Sequence, residues 1–229
     1  MTITTSKLTR AAGMAAVVAG LLYIAVQPIH PTEEVSAVTG GAWAIVGYMT
    51  LGFAILGLAG VSGIYLRQVQ EAGVLGLVGY LMFSAFFLLV TAFTFAETLI
   101  LPPLASEAPQ FVDSFLGIFS GSAGEVDLGT LGAMSAVAFG LYLVGGTLLG
   151  IALFRARVLA RWAALMLVFG ATATLLVPLL PHAVGRYAAV PMGLALVGLG
   201  YALWSEPRET ATAALADSAT APLDLAAAE

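Results

Sequence analysis

The stretch "GGTLLGIALFRARVLARWAALMLVFGA" (145–171) joins two apolar segments through a short turn rich in arginine. Small residues dominate the first segment, and Trp162 opens the second. The turn between them carries Arg155, Arg157 and Arg161. Arginine near the end of a membrane span is retained on the cytoplasmic side, and tryptophan favours the membrane–water interface. This stretch therefore predicts two membrane helices connected by a cytoplasmic turn.

The composition extends this prediction to the rest of the chain. Of 229 residues, 60% are hydrophobic and 9% are charged, with a mean hydropathy of +1.01. A water-soluble domain of this size has no core large enough for so much apolar surface. Apolar segments near the ~20 residues that cross hydrocarbon lie at 11–29, 42–66, 73–101, 128–154, 160–180 and 187–204. The predicted fold is all-α: a six-helix transmembrane domain over 1–204, followed by a disordered cytoplasmic tail over 205–229.

The distribution of basic residues predicts the orientation of these spans. With both termini in the cytoplasm, seven of the eight Lys and Arg side chains fall on the cytoplasmic side, and Arg186 falls outside. Such a bias is what orients a multi-pass protein in the plasma membrane. We expect the first span to be retained rather than cleaved, because its apolar run is long and no small-x-small cleavage site precedes Pro28.

Several classes of site are excluded by what the sequence lacks. With no cysteine, the chain has no disulfide, no thiolate metal site and no thiol nucleophile. The basic residues form no patch of the kind that binds nucleic acid, so no nucleic-acid partner is expected. The glycine and serine fingerprints of phosphate loops, dinucleotide-binding turns and nucleophile elbows are also absent. Phosphoryl transfer and hydride transfer are therefore poor hypotheses.

One carboxylate lies inside a predicted span. The stretch "FTFAETLILPP" (93–103) places Glu97 in the last turns of the third span, about 36 Å from Gly73 at ~1.5 Å per residue, which is the outer edge of the hydrocarbon. An ionised carboxylate costs about 2.5 to 3.5 kcal/mol at the centre of a bilayer and less near its surface. Two interpretations stay open: a structural interfacial carboxylate, or a functional acid or ligand.

Other polar residues fall at the same depth. His30 and His182 follow prolines at the outer ends of their spans, and they converge on Glu97 if the first, third and fifth spans pack together. The candidate catalytic residues are therefore Glu97, His30 and His182; the candidate substrate-binding residues are Thr94, Thr98, Glu34 and Arg186. Two histidines with carboxylates suit a zinc, iron or manganese ion by ligand type. Because no diagnostic spacing such as HExxH occurs, we predict neither a metal nor another cofactor.

The longest external connection contains a second helical pattern. In "PQFVDSFLGIF" (109–119) the phenylalanines recur at helical spacing opposite polar residues, which predicts a short amphipathic helix. Such a helix either anchors the loop at the membrane surface or forms a lid over a site that opens outward.

Two resemblances to known families accompany these patterns. "HPTEE" (30–34) resembles the Pro-x-Glu-Glu pattern of membrane lycopene cyclases, which implies isoprenoid chemistry begun by a carboxylic acid. The stretch 145–171, together with "LTRAAGMAAVVAGLLYIA" (8–25), is similar to actinobacterial-type multi-pass membrane proteins of unknown function. The second resemblance implies a membrane family and no particular activity.

Three functions are compatible with this organisation. The first is an integral membrane protein whose outward-facing interfacial pocket binds a lipophilic small molecule, a lipid or a partner. The second is a membrane-embedded enzyme acting on an isoprenoid or lipid, with Glu97 as general acid and His30 or His182 as proton acceptor. The third is a small transporter, which the lack of an ionisable residue in the middle of the other spans disfavours. The expected partners are the bilayer and a lipophilic ligand.

Overall fold

The computed structural model describes residues 4–122, 124–179 and 185–206, which are mostly helical and contain no β-strand. The α-helices are α1 (Thr5–Val26), α2 (Gly41–Leu66), α3 (Val69–Phe95), α4 (Leu101–Leu104), α5 (Pro109–Ser120), α6 (Met134–Ala156), α7 (Arg161–Ala173) and α8 (Val190–Ser205). A π-helical turn, Ala96–Ile100, joins α3 to α4. Short 3-10 turns cover Gln27–Ile29, Gly129–Ala133, Thr174–Leu179 and Arg186–Ala189.

Six of these helices form a closed ring in the order α1, α2, α3, α6, α7, α8, and α8 returns to pack against α1. Neighbours in the ring are antiparallel. On α2, for example, Gly60 lies against Ala16, whereas Gly63, further along the chain, lies against the earlier Ala12. Six alternating helices bring the start of α1 and the end of α8 to the same end of the bundle.

That end carries most of the basic side chains of the described residues. The guanidinium of Arg10 lies over the ring of Trp204, 5.1 Å from its centroid. Arg67 Nε donates to a carboxylate oxygen of Glu206 at 2.7 Å, which ties the α2–α3 turn to the end of α8. Of the predicted tail 205–229, the described residues include only Ser205 and Glu206; the remainder lies outside them.

Glycine allows the helices of the ring to approach closely. Gly13 and Gly20 of α1 face Gly200 and Gly193 of α8, and a Cβ added to Gly13 would lie 2.7 Å from the carbonyl oxygen of Gly200. The two backbones are therefore in contact. Lipid tails are as apolar as leucine, so dispersion contacts at such small-residue faces replace the hydrophobic effect as the force between helices.

The surface of the ring is apolar where that of a soluble bundle would be polar. Large aliphatic and aromatic side chains point outward from its helices, including Leu21, Ile55, Leu81, Val144 and Phe169. Five helical segments are long and apolar enough to cross a membrane: Thr5–Ile29, Gly41–Leu66, Val69–Leu104, Gly129–Ala156 and Arg186–Ser205. The prediction of an all-α fold is confirmed, and these five segments are compatible with the predicted membrane protein.

The fifth predicted span, 160–180, corresponds to a shorter apolar helix, Arg161–Val177. Its α-helical part, α7, ends at Ala173 and continues as the 3-10 turn Thr174–Leu179. Pro178 lies in that turn and has no amide hydrogen, so an α-helix continued through it would leave the carbonyl of Thr174 without its donor. This proline gives a physical reason for the early end of α7.

The contact between α1 and α8 gives the first prediction. A valine at Gly20 would collide with the carbonyl of Gly193, and overpacking of this kind costs about 1–3 kcal/mol. Gly20→Val should therefore lower the thermal unfolding midpoint in detergent, followed by circular dichroism. Gly140→Val is the matched control, because Gly140 lies within α6 with open space around its Cβ position. Equal destabilisation of the two variants would contradict the contact.

Candidate functional site

A cavity of about 230 Å³ lies at the opposite end of the bundle, enclosed by α2, α3 with its π-helical turn, α5, and the segment after α1. We call it the Glu97 cavity. Its polar side chains are His30, Glu33, Thr50, Thr94, Glu97 and Thr98. Its apolar wall consists of Trp43, Val46, Gly47, Val90, Phe93, Leu116 and Phe119. One compartment thus combines two carboxylates with an aromatic and aliphatic wall.

The π-helical turn that carries Glu97 has a local cause in the sequence. Pro102 and Pro103 follow it, and neither has an amide hydrogen for the preceding helix. Instead of continuing the α pattern, the amide of Leu101 donates to the carbonyl of Ala96, five residues back. Single π-helical turns of this kind occur frequently at functional sites. The turn therefore determines the direction in which the side chains of Glu97 and Thr98 point.

The same turn leaves one carbonyl in need of a donor. In the five-residue pattern, the carbonyl of Glu97 would pair with the amide of Pro102, which carries no hydrogen. The indole Nε1 of Trp43 donates to that carbonyl oxygen at 3.0 Å. Trp43, buried near the start of α2, therefore satisfies the backbone at Glu97 and lines the cavity beside it.

Helix α5 closes one side of the cavity. Phe115 stacks on Phe93 with ring centroids 4.5 Å apart, and Phe119 meets Phe93 edge-on at 4.4 Å. Pro109 begins the helix, and Gly121, with φ of 78°, ends it in the left-handed conformation that glycine adopts without strain. The predicted amphipathic helix at 109–119 is confirmed, and its apolar face packs on α3.

Glu33 reaches the cavity from the segment after α1. Its carboxylate accepts a hydrogen bond from the Arg186 guanidinium at 3.3 Å, and both side chains are about one-fifth exposed. Glu34, the acidic candidate from the sequence, is exposed and lies beside Ser36 instead. Neighbouring residues in an irregular segment point in different directions, so the sequence alone did not distinguish Glu33 from Glu34.

Most of the predicted site residues meet in this cavity. Glu97, His30, Thr94 and Thr98 line it, and Arg186 contacts it through Glu33. His182 lies outside the described residues. The route of convergence differs from the expected one: α2 stands between α1 and α3 in the ring, and the segment after α1 carries His30 to the cavity.

The hydroxyl of Thr98 differs from those of Thr50 and Thr91, and it shares its lack of a hydrogen-bond partner with the buried hydroxyl of Thr147 on α6. Thr50 and Thr91 donate to the carbonyl four residues earlier, at 2.9 and 2.8 Å, as membrane-helix threonines commonly do. Thr98 is 5% exposed, and its Oγ1 has no hydrogen-bond partner among the described residues. It packs against Gly47, where a Cβ would overlap it. A buried hydroxyl next to Glu97 in the chain is thus without a hydrogen-bond partner among the described residues, and it faces Gly47.

A second cavity, of about 460 Å³, adjoins the first. Its lining includes Tyr23, Phe86 and Tyr142, with no ionisable carboxylate or basic side chain. Phe119 lines both cavities and therefore forms part of the wall between them. The two compartments differ in chemistry: one holds carboxylates, and the other is apolar except for hydroxyl groups.

The positions of the histidine and carboxylate side chains indicate whether this site suits a metal ion. Within residues 4–122, 124–179 and 185–206, no three or more His, Asp or Glu side chains are grouped as a metal ion would need. Nδ1 of His30 lies 2.9 Å from the carbonyl oxygen of Pro31. A carbonyl oxygen only accepts hydrogen bonds, so this contact places a proton on Nδ1.

Comparison with known proteins adds no assignment. Neither protein-family models, nor curated proteins, nor solved structures give a match to this chain.

The bond from Trp43 to the π-helical turn gives the second prediction. Trp43→Phe would leave a buried carbonyl unsatisfied, which costs about 1–3 kcal/mol. We expect a lower unfolding midpoint than for Trp162→Phe, the control, whose indole is exposed and has no hydrogen-bond partner among the described residues. Denaturation of the two variants in detergent measures the difference. Similar midpoints would show that the turn does not depend on Trp43.

Proposed function

We propose that this chain is an integral plasma-membrane protein that binds a lipophilic small molecule or lipid in the Glu97 cavity. The observation that carries the proposal is the composition of the cavity wall: aromatic and aliphatic side chains surround a small set of convergent polar groups. Ligand sites combine these features, because apolar area supplies affinity and a few polar groups fix orientation.

The proposal includes six spans with both termini in the cytoplasm. Five segments have the required length, and α7 is packed between α6 and α8 in the same antiparallel ring. Its 3-10 continuation supports a full crossing, because that turn rises about 2.0 Å per residue instead of 1.5 Å. The basic end, with Arg10 and Arg67, is then cytoplasmic, and the cavity opens on the outer side.

Helix α5 is the element that controls how a ligand enters the cavity. Leu116 and Phe119 on this helix line the cavity, and Phe119 is nearly half exposed. A ligand that enters from the outer leaflet would therefore pass the end of α5. This arrangement supports the lid interpretation of the 109–119 segment over that of a surface anchor alone.

A second candidate function, a membrane-embedded enzyme acting on an isoprenoid or lipid, is favoured by one observation. His30 and Glu97 line the same cavity, so a proton donor and a proton acceptor share one compartment. The test is incubation of protein-containing membranes with isoprenoid and lipid extracts, followed by mass spectrometry. Product that forms with the native chain and with Glu107→Gln, but not with Glu97→Gln, would favour the enzyme over the binding protein.

Ligand retention gives the third prediction. Val90 lines the cavity, whereas Leu88 on the same helix points outward and is 57% exposed. After equilibration with a total lipid extract, native mass spectrometry should detect one lipophilic molecule per chain in the native protein and in Leu88→Trp. Val90→Trp should lose it, because the indole fills the cavity.

Circular dichroism and the unfolding midpoint check that both tryptophan variants fold. An unchanged adduct in a folded Val90→Trp protein would place the ligand elsewhere. The absence of any adduct in the native protein would contradict the proposed function itself.

A further inference from the structure

We propose that the ligand of the Glu97 cavity is an amphiphile with a primary ammonium head, held between the carboxylate of Glu97 and the hydroxyl of Thr98. This inference rests on the proposed function and names the ligand class of the same site.

The charge balance leaves one carboxylate without a cation. Of the two carboxylates that line the cavity, Glu33 is paired with Arg186 at 3.3 Å. Glu97 has neither an ion pair nor a side-chain hydrogen bond with another residue of the described ranges. When Glu97 is ionised it is purely an acceptor, and a charge in this apolar setting is costly until it is paired. A cationic ligand group supplies the missing partner.

Thr98 provides a second acceptor beside that carboxylate. Its Oγ1 is buried and unpartnered, and the absence of a side chain at Gly47 makes room for it. A primary ammonium group has three donors. One can reach Glu97, and another can reach Thr98 once its hydroxyl turns from Gly47 toward the cavity, which satisfies two acceptors that have no partner in the described part of the protein.

The wall suits the rest of such a ligand. Trp43, Phe93 and Phe119 contribute aromatic surface, and aromatic faces attract ammonium groups within about 6 Å. The aliphatic part of the wall suits hydrocarbon. The Glu97 cavity, at about 230 Å³, is smaller than the roughly 300–1,000 Å³ of typical ligand sites. It therefore takes the head and the first part of the chain, and the apolar body continues past Phe119 into the second cavity.

Two other head groups fit less well. An anionic head would meet the carboxylates of Glu33 and Glu97, and like charges repel at close range. A neutral hydroxyl offers the same kind of hydrogen bond without the attraction between charges, and hydrogen bonds between charged groups are about twice as strong. The alcohol of equal chain length is therefore the most informative competitor.

The experiment compares n-decylamine with n-decanol as probes. The protein is placed in phosphatidylcholine nanodiscs, and native mass spectrometry measures binding above the partitioning seen with empty nanodiscs. The native chain should bind the amine about tenfold more tightly than the alcohol, the ratio that a difference of about 1.4 kcal/mol produces. Glu97→Gln should reduce that ratio to about one while the alcohol still binds.

Matched variants separate the site from its surroundings. Thr98→Val should weaken amine binding several-fold, whereas Thr91→Val should not, because Thr91 already donates within its own helix. Glu107→Gln removes an exposed carboxylate that does not line the cavity and should keep the native ratio. Circular dichroism of each variant confirms that it folds before binding is compared.

The outcomes separate this inference from the function on which it rests. Equal binding of amine and alcohol by the native chain, or an amine preference that survives Glu97→Gln, would overturn the ammonium assignment while the lipophilic site stands. Failure of both probes and of the lipid extract to bind would overturn the proposed function as well. An amine preference lost equally in Glu107→Gln would show attraction to the surface, which also overturns the assignment.

Discussion

The site depends on the hydrogen bond from the indole of Trp43 to the carbonyl of Glu97 at 3.0 Å. The two prolines after α3 have no amide hydrogens to continue the α-helical hydrogen bonds, and the segment before them forms a π-helical turn. That turn leaves the carbonyl of Glu97 without a backbone donor, and Trp43 from α2 supplies one. The bond therefore fixes α2 against the end of α3 at the depth where the carboxylate and Thr98 enter the cavity. Without it, the turn would expose an unpaired polar group to an apolar setting, which is costly.

Residue size along the helices explains why the Glu97 cavity lies at one end of the bundle. Along most of the ring, glycine faces such as Gly13 against Gly200 bring backbones into contact and leave little room between helices. At the far end, bulky side chains including Phe93 and Trp43 hold α2, α3 and α5 around the Glu97 cavity. The closely packed glycine faces and the Glu97 cavity therefore lie at different positions along the bundle. Small residues allow the close packing, and bulky residues surround the cavity.

Much of this arrangement follows from the sequence, because apolar length, basic turns and helical periodicity are local properties. They predicted the all-α fold, the amphipathic helix α5 and the place of Glu97 close to the end of its long helical segment. The order of helices in the ring is not local, so the expected packing of the first, third and fifth spans differs from the structure, where α2 lies between α1 and α3. Glu33 was missed in favour of Glu34 because side-chain direction in an irregular segment depends on tertiary contacts. Trp43 carried only the general signal of an aromatic residue near a span end.

We propose that the Glu97 cavity opens on the outer side of the plasma membrane. Because the chain contains no cysteine, single cysteines introduced at Phe119 and at Glu71 test it in intact cells with a membrane-impermeant maleimide. Phe119→Cys lies at the cavity, and Glu71→Cys is exposed in the first turn of α3 at the opposite end. We expect Phe119→Cys to be labelled directly and Glu71→Cys to be labelled only after the cells are permeabilised. The reverse pattern would contradict it, since the cavity would then face the cytoplasm.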